Sequence, residues 1–395
     1  MKKQSIIRVL SLALILSLAV TGCYGGTSPS TPGGQSGSSG GTSAPPAGTA
    51  DMEVYTGEDV FEALEWSRDY APNATVIRFA ENTPTASFQS VGGAIPVMVL
   101  TLAKELPVLT EGRYRIELFP DGTLASSTTE FIGGVQSGAF EIASIVAGSW
   151  GEYTDAFAEV NIPFLIKSYD AAEKLLLDHG LQEKMFEKAE QDVGVKFLAV
   201  NTIGIRQLTN SKRPVKTPDD IRGLKLRVMS DPIQVATFEA LGASVVSIAY
   251  SELFTSLQQG VVDGQENPPY NIFNDKLFEV QPYMTMTNHL YSPSPMFINM
   301  SFWNNMSAED QTTLKDLCMK GQELGLQKIA SLEEYYNEQC EAAGMEITYL
   351  TPEEIQPFQD LLVAEVYPQS AELMGQERWD ALMEMIEAVD KELAG

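Results

Sequence analysis

From Val76 onward the chain alternates between two hydrophobic periods. Apolar runs of strand period, TVIRFAEN, YRIELFP and FEIASIV, are separated by stretches of helical period, SVGGAIPVMVLTLAKEL and TTEFIGGVQSG. Asp170 to Ala189 predicts one helix with Ala172, Leu175, Leu176 and Met185 facing inward. VKFLAVN, LKLRV and SVVSIAY then predict strands, with PIQVATFEALGA as a helix and SELFTSLQQG as another that Ser251 caps. EVQPYMTMTNH and MFINM read as two later strands. Ser307 to Ala342 has few breakers and predicts a helix that, at a rise of about 1.5 Å per residue, is long enough to run along two lobes. ITYL, a helix after Thr351-Pro352, and a last helix from Glu377 to Leu393 complete the pattern. Interleaved strand and helix periods of this kind predict an α/β fold with a mostly parallel sheet.

Ligands on such sheets collect at the carboxyl ends of strands. That rule draws Glu81-Asn82-Thr83, the run from Asp121 to Ser127, and the run from Ala147 to Trp150 to one mouth. Arg206 follows VKFLAVN, and Arg227 sits inside LKLRV. An arginine within an apolar strand must point out or be paired, because an unpaired buried cation is costly. A guanidinium fixed there offers a planar fork that matches a carboxylate in two parallel hydrogen bonds. Asn267, closing GQEN, adds an amide donor and acceptor. Asp263 and Glu266 are expected to be turn and support groups, since an anion site gains nothing from further negative charge.

Before Val76 the chain changes character. Residues 1–22 read as a targeting segment in which Lys2, Lys3 and Arg8 precede an apolar run too short for a comfortable membrane span. The run ends Val20-Thr21-Gly22-Cys23, similar to a bacterial lipobox, so Cys23 is the expected lipidation site; ordinary secretory cleavage with an incidental Cys is the alternative. Residues 23–50 are rich in Gly, Ser, Thr and Pro and lack the apolar side chains needed to fold, which makes them a tether. Residues 51–75 hold DVFEALEWSRDY, an added amphipathic helix with Val60, Phe61 and Leu64 on one face.

At 395 residues the chain exceeds one ordinary core, so two lobes are expected. Lys and Arg number 26 against 53 Asp and Glu, a formal charge of −27, which excludes nucleic acid as a partner. Screening over ~8 Å still lets local arginines control anion binding. Enzyme chemistry finds no support. His179 and His289 are far apart in sequence, and no metal-ligand spacing, nucleophile elbow or phosphate loop is present. No cofactor is implied. Cys318 and Cys340 fall on one predicted helix, roughly 33 Å apart, and are expected to be buried free thiols.

Four blocks in residues 204–267 carry a family resemblance. They are GIRQ with Thr209-Asn210, GLKLRV, ALGA, and SELF running through GVVDGQENP. In this order and spacing they resemble the signature of the DctP-type solute-binding subunits of TRAP (tripartite ATP-independent periplasmic) transporters. The resemblance implies a two-lobed periplasmic-binding-protein-like (Venus flytrap) α/β fold whose long helix spans both lobes. Lobe I would comprise 76–203 and 293–332, and lobe II 204–292 and 333–395. It implies a non-enzymatic extracytoplasmic receptor, lipid-anchored to the bacterial membrane, that closes on a small organic acid and delivers it to the TRAP permease subunits. The matching arginine, Arg227, would hold the ligand carboxylate, and Arg206 would add a second contact. Asn267, Asn82 and Tyr250 would orient the remainder, with Ser127 and Trp150 at the first-lobe mouth. Ser126, Ser127, Val146, Ser149 and Trp150 carry no acid at positions where some relatives have one, which suggests a ligand with a less cationic or more apolar body than those relatives bind. A lipid-anchored receptor presenting the ligand to a membrane signalling protein is the alternative.

Overall fold

The computed structural model describes residues 59–89 and 92–394, so the targeting segment, Cys23, the tether and the start of the added segment lie outside the described residues. Its strands are β1 Thr75–Ala80, β2 Tyr114–Phe119, β3 Ile142–Ser144, β4 Lys196–Asn210, β5 Lys225–Val228, β6 Ser244–Ser247, β7 Gly264–Asn267, β8 Tyr283–Ile298 and β9 Glu346–Tyr349. They join in one sheet of order β2-β1-β3-β8-β4-β7-β5-β6, with β9 paired to β8. The outer pairings are parallel, whereas β3–β8, β4–β8 and β4–β7 are antiparallel. The sheet is therefore mixed rather than mostly parallel.

The cause is the length of β4 and β8. VKFLAVN does not stop before Gly204 but continues to Asn210, and the two expected late strands are one 16-residue strand. The two pair antiparallel with each other along their length; β8 also takes β3 at one end and β9 at the other, and β4 takes β7 at its far end, so they run through both halves of the sheet. Register shifts fall between Thr202 and Ile205, and there Gly204 adopts φ +114, a conformation that L side chains rarely adopt. An irregular ladder at that point lets one strand serve two halves.

Helices cover the faces. Ala94–Leu109 is buried along most of its length and packs against the long helix Ala308–Ala342, whose 35 residues make a rod of about 52 Å. The added helix Val60–Tyr70 packs on Ala94–Leu109 through Val60, Ala63 and Ser67, while Trp66 stacks on Tyr70. The expected helix from Asp170 is broken: Tyr169–Glu173, a wide turn at Lys174–Asp178, and Leu181–Val193, with Gly180 left-handed between them. Its four apolar residues are nevertheless all buried. Ser251 does not cap the following helix, because Tyr250–Glu252 forms a 3-10 turn and Leu253–Gln258 starts behind it. Cys318 and Cys340 are buried free thiols on the long helix.

The largest core gathers Phe157, Phe186, Phe197 and Phe297 with Trp150. Three tail helices, Pro352–Glu365, Tyr367–Met374 and Gln376–Ala394, add Phe358 and Leu362, Met374, and Leu382 to it. Arg378 anchors the last helix by donating to Asp155 and to Glu159 at 2.7 Å each.

Candidate functional site

β5 is short and lies between β7 and the edge strand β6, and its alternation decides the site. Leu226 and Val228 are buried in the core, while Arg227 points to the other face, where it is 3 % exposed. A cavity of about 140 Å³ opens there, walled from one half of the sheet by Glu81, Ser127 and Ser149, and from the other by Arg227, Tyr250 and Asn267. Among the described residues Arg227 makes a single hydrogen bond, from Nε to the Ile248 carbonyl at 2.8 Å. Its Nη1 is buried without a partner, and its guanidinium lies 5.9 Å from the Tyr250 ring centroid. It forms no ion pair with a described carboxylate. Burial pushes its pKa down to about 10, nearby Arg206 adds to that, and Glu266 opposes it.

Arg206 lines the same cavity in a different state. It lies inside β4 rather than after a strand end, and it is 1 % exposed. Nε and Nη2 donate to the Glu266 carboxylate, Nη2 also to the Asn267 side-chain oxygen at 2.9 Å, and Nη1 to the Ser292 hydroxyl at 3.1 Å. Burial would raise the Glu266 carboxyl, but Arg206 and His289 hold it down to about 2. Arg206 is thus neutralised and does not offer the free fork expected of a second clamp. Glu266 is a support group, as expected, and so is Asp263, which accepts from the Lys225 backbone N–H at 2.9 Å.

The other expected residues divide. Asn267 reaches the wall, but its amide is held by Arg206 and Gln265. Tyr250 lines the cavity and donates its hydroxyl to Asp275, whose pKa burial pushes up to about 6. Asn82 is exposed at the rim, and Ser127 caps helix Thr128–Ser137 with a reciprocal Glu130 contact while lining the cavity. Trp150 is not at the mouth. It is 0 % exposed, packs on Phe157, Phe197 and Phe297 at ring distances of 5.0–5.4 Å, and donates Nε1 to the Ile145 carbonyl. A large ring near a strand end went to the core because three phenylalanines from other elements converge on it.

Two wall residues escaped the sequence reading, Glu152 and Asp275, and a third, Glu81, was placed at the mouth but given no role. Ser126, Ser127, Val146, Ser149 and Trp150 carry no acid, but these three residues put carboxyl groups elsewhere on the cavity wall. Glu81 is 1 % exposed, directly after β1, and burial raises it to about 7. A carboxyl immediately following a buried strand is the signal in the sequence, beside the exposed Asn82. Among the described residues no group of three His, Cys, Asp or Glu is placed to hold a metal.

The two walls meet closely. A Cβ at Gly151 would lie 2.7 Å from the Ser230 carbonyl and 2.9 Å from Pro232 Cδ, so residues 148–151 press directly on residues 229–234. Asn161 donates to Asp231 at 2.9 Å across the same seam. This arrangement encloses the cavity and can grip an anion from two sides.

The comparisons agree with that chemistry. The family model for bacterial extracellular solute-binding protein, family 7 (DctP) matches residues 95–373. The chain is 34 % identical over 248 residues to a solute-binding protein of Verminephrobacter eiseniae, spanning 63 % of this chain and 72 % of that one. To the C4-dicarboxylate-binding periplasmic protein DctP of Rhodobacter capsulatus it is 30 % identical over 271 residues, 68 % of this chain and 80 % of that one. A TRAP periplasmic solute-binding protein from a Polaromonas species, solved with bound D-erythronate, superposes with a TM-score of 0.71 at 28 % identity, covering 78 % of this chain and 98 % of the other.

Proposed function

The chain belongs to family 7 of the bacterial extracellular solute-binding proteins, and from that membership we propose that it is the receptor of a TRAP transporter, capturing a small organic acid and delivering it to a membrane permease. One observation carries the reading: a buried guanidinium, Arg227, lines an enclosed cavity with no carboxylate partner of its own. A bound carboxylate supplies the missing partner, in two parallel hydrogen bonds. Relatives described as binding a C4-dicarboxylate and D-erythronate support an acid as the ligand.

In this reading Arg227 clamps the carboxylate. Arg206 acts as a positioning residue, holding Asn267 against the cavity through its pair with Glu266. Tyr250, Asn82 and Ser127 orient the rest of the ligand. Residues 76–203 and 293–332 form one lobe and residues 204–292 and 333–395 the other, with Gly204 among the crossing points. Closure is driven by the ligand's higher affinity for the closed state. The family is extracytoplasmic, and Cys23 is the proposed lipid anchor to the membrane; Cys23→Ser should release the protein from the membrane fraction. The bound acid leaves unchanged, without turnover.

Calorimetry with a panel of organic acids tests the clamp. Arg227→Ala is expected to weaken every acid by about 2–4 kcal/mol, roughly 30- to 1000-fold. Unchanged affinity for an acid that the wild-type protein binds would overturn it.

A further inference from the structure

Three carboxyl groups face one uncommitted cation in the cavity. Glu81, Glu152 and Asp275 line it, and Arg206 is already neutralised by Glu266. Arg227 alone among the described lining residues is left to meet an anion. One ligand carboxylate satisfies it. A second would have to lie among acids, which is unfavourable.

Glu81 shows what the rest of the ligand must offer. Its Oε2 accepts from the Asn82 and Thr83 backbone N–H groups at 2.9 and 3.1 Å and from the Thr83 hydroxyl at 2.9 Å. These bonds fix the carboxyl in place. Oε1 is buried and has no partner among the described residues. Glu81 follows β1, on the half of the sheet opposite to Arg227 on β5. A buried, fixed, unpartnered oxygen on a cavity wall is a hydrogen-bonding position waiting for a ligand group.

We infer that Glu81 determines specificity: its Oε1 binds a hydroxyl of the ligand, so the site selects hydroxylated monocarboxylates and excludes dicarboxylates. The inference rests on the reading that Arg227 takes the carboxylate. Hydroxyl is the group that suits Glu81 in either protonation state, donating to the ionised carboxyl and accepting from the protonated one. Burial raises this carboxyl to about 7, where both states are populated near neutral pH. An ammonium would need the ionised form alone. A second carboxylate would need the protonated form alone, with Asp275 and Glu152 also lining the cavity.

Calorimetry on the full chain tests this with D-erythronate, its deoxy counterpart butyrate, and succinate. The wild-type protein is expected to prefer erythronate over both by on the order of 100-fold. Glu81→Ala should erase the preference over butyrate while leaving butyrate itself within a few-fold. Glu81→Gln, which keeps the shape and removes the charge, should bind succinate more tightly than wild type and erythronate within about tenfold; it carries the test if the alanine variant does not fold. Equal wild-type binding of succinate and erythronate, or an undiminished hydroxyl preference in both variants, overturns the role of Glu81 and leaves acid binding standing. If none of these acids binds, nor glycerate nor galactonate, both readings fall.

Discussion

Arg206 and Glu266 form a buried ion pair in which each side chain is 1 % exposed and the guanidinium donates to both carboxylate oxygens. They stand 60 positions apart and meet because β4 and β7 pair antiparallel, with Gln207 opposite Asn267 and Leu208 opposite Glu266. The pair settles which of the two cavity arginines remains free. It also makes one partner's removal worse than the removal of both. Arg206→Met leaves the buried Glu266 carboxylate with only His289 beside it in place of the guanidinium and is expected to lose about 3–5 kcal/mol of stability. The double variant Arg206→Met, Glu266→Leu should recover a large part of that loss. Urea unfolding of the single and double variants measures the coupling, and strict additivity would rule it out.

Arg227 is expected to behave in the opposite sense. It has no carboxylate partner, so its burial opposes folding of the unliganded protein. Arg227→Met gives up one hydrogen bond to the Ile248 carbonyl and removes an uncompensated charge. Unliganded stability in urea should be unchanged or higher by up to about 2 kcal/mol, while the thermal shift caused by an acid ligand disappears. A variant both less stable and still protected by ligand would contradict the assignment.

Stability should depend on pH through buried carboxyl groups of opposite sign, of which Glu81 and Glu266 carry the largest opposed shifts. Glu81 is raised in the folded state, from 4.5 to about 7, so its contribution is intact below pH 4.5 and is lost as pH climbs through 7. Glu266 is lowered, so its contribution is present above pH 4.5 and is lost as pH falls towards 2. For Glu81 the full effect is about 3 kcal/mol. Comparing Glu81→Gln with wild type without ligand, the difference in unfolding free energy should shift in the variant's favour by up to that amount between pH 4.5 and 7. A flat difference would show that Glu81 titrates normally.

Gly151 gives a test of closure that leaves the binding residues alone. Its missing Cβ is replaced by the backbone of residues 230–231, which cannot move aside as a flexible side chain would. Gly151→Val should disfavour the observed approach of the two walls. Acid affinity is expected to fall by on the order of tenfold or more with Arg227 intact, because less of the protein occupies the competent state. Small-angle scattering with saturating ligand should report a larger radius than wild type; an unchanged radius and affinity would mean that the seam is not part of closure.

Trp150 belongs to the core, and its variants should say so. Trp150→Ala is expected to cost about 3–5 kcal/mol in unfolding free energy by emptying the space among Phe157, Phe197 and Phe297. Trp150→Phe should be folded and bind acid ligands as wild type does. A selective loss of affinity in the phenylalanine variant would return this residue to the binding surface.

The hydrophobic periods alone determined most elements of this protein, because burial on one face leaves a local trace in every helix and half-buried strand. They located Val60–Tyr70, Ala94–Leu109, the long helix Ala308–Ala342, and β5 with Arg227 forced to the face opposite Leu226 and Val228. Tertiary structure alone decided that β4 runs on through Gly204, that Glu266 neutralises Arg206, that Trp150 fills the core, and that Glu81 rather than Asn82 presents a buried polar atom without a partner. Local sequence fixes which face a side chain takes. Which groups share that face depends on the register of strands far apart in the chain, and so do the charge and the hydrogen-bonding capacity left for a ligand.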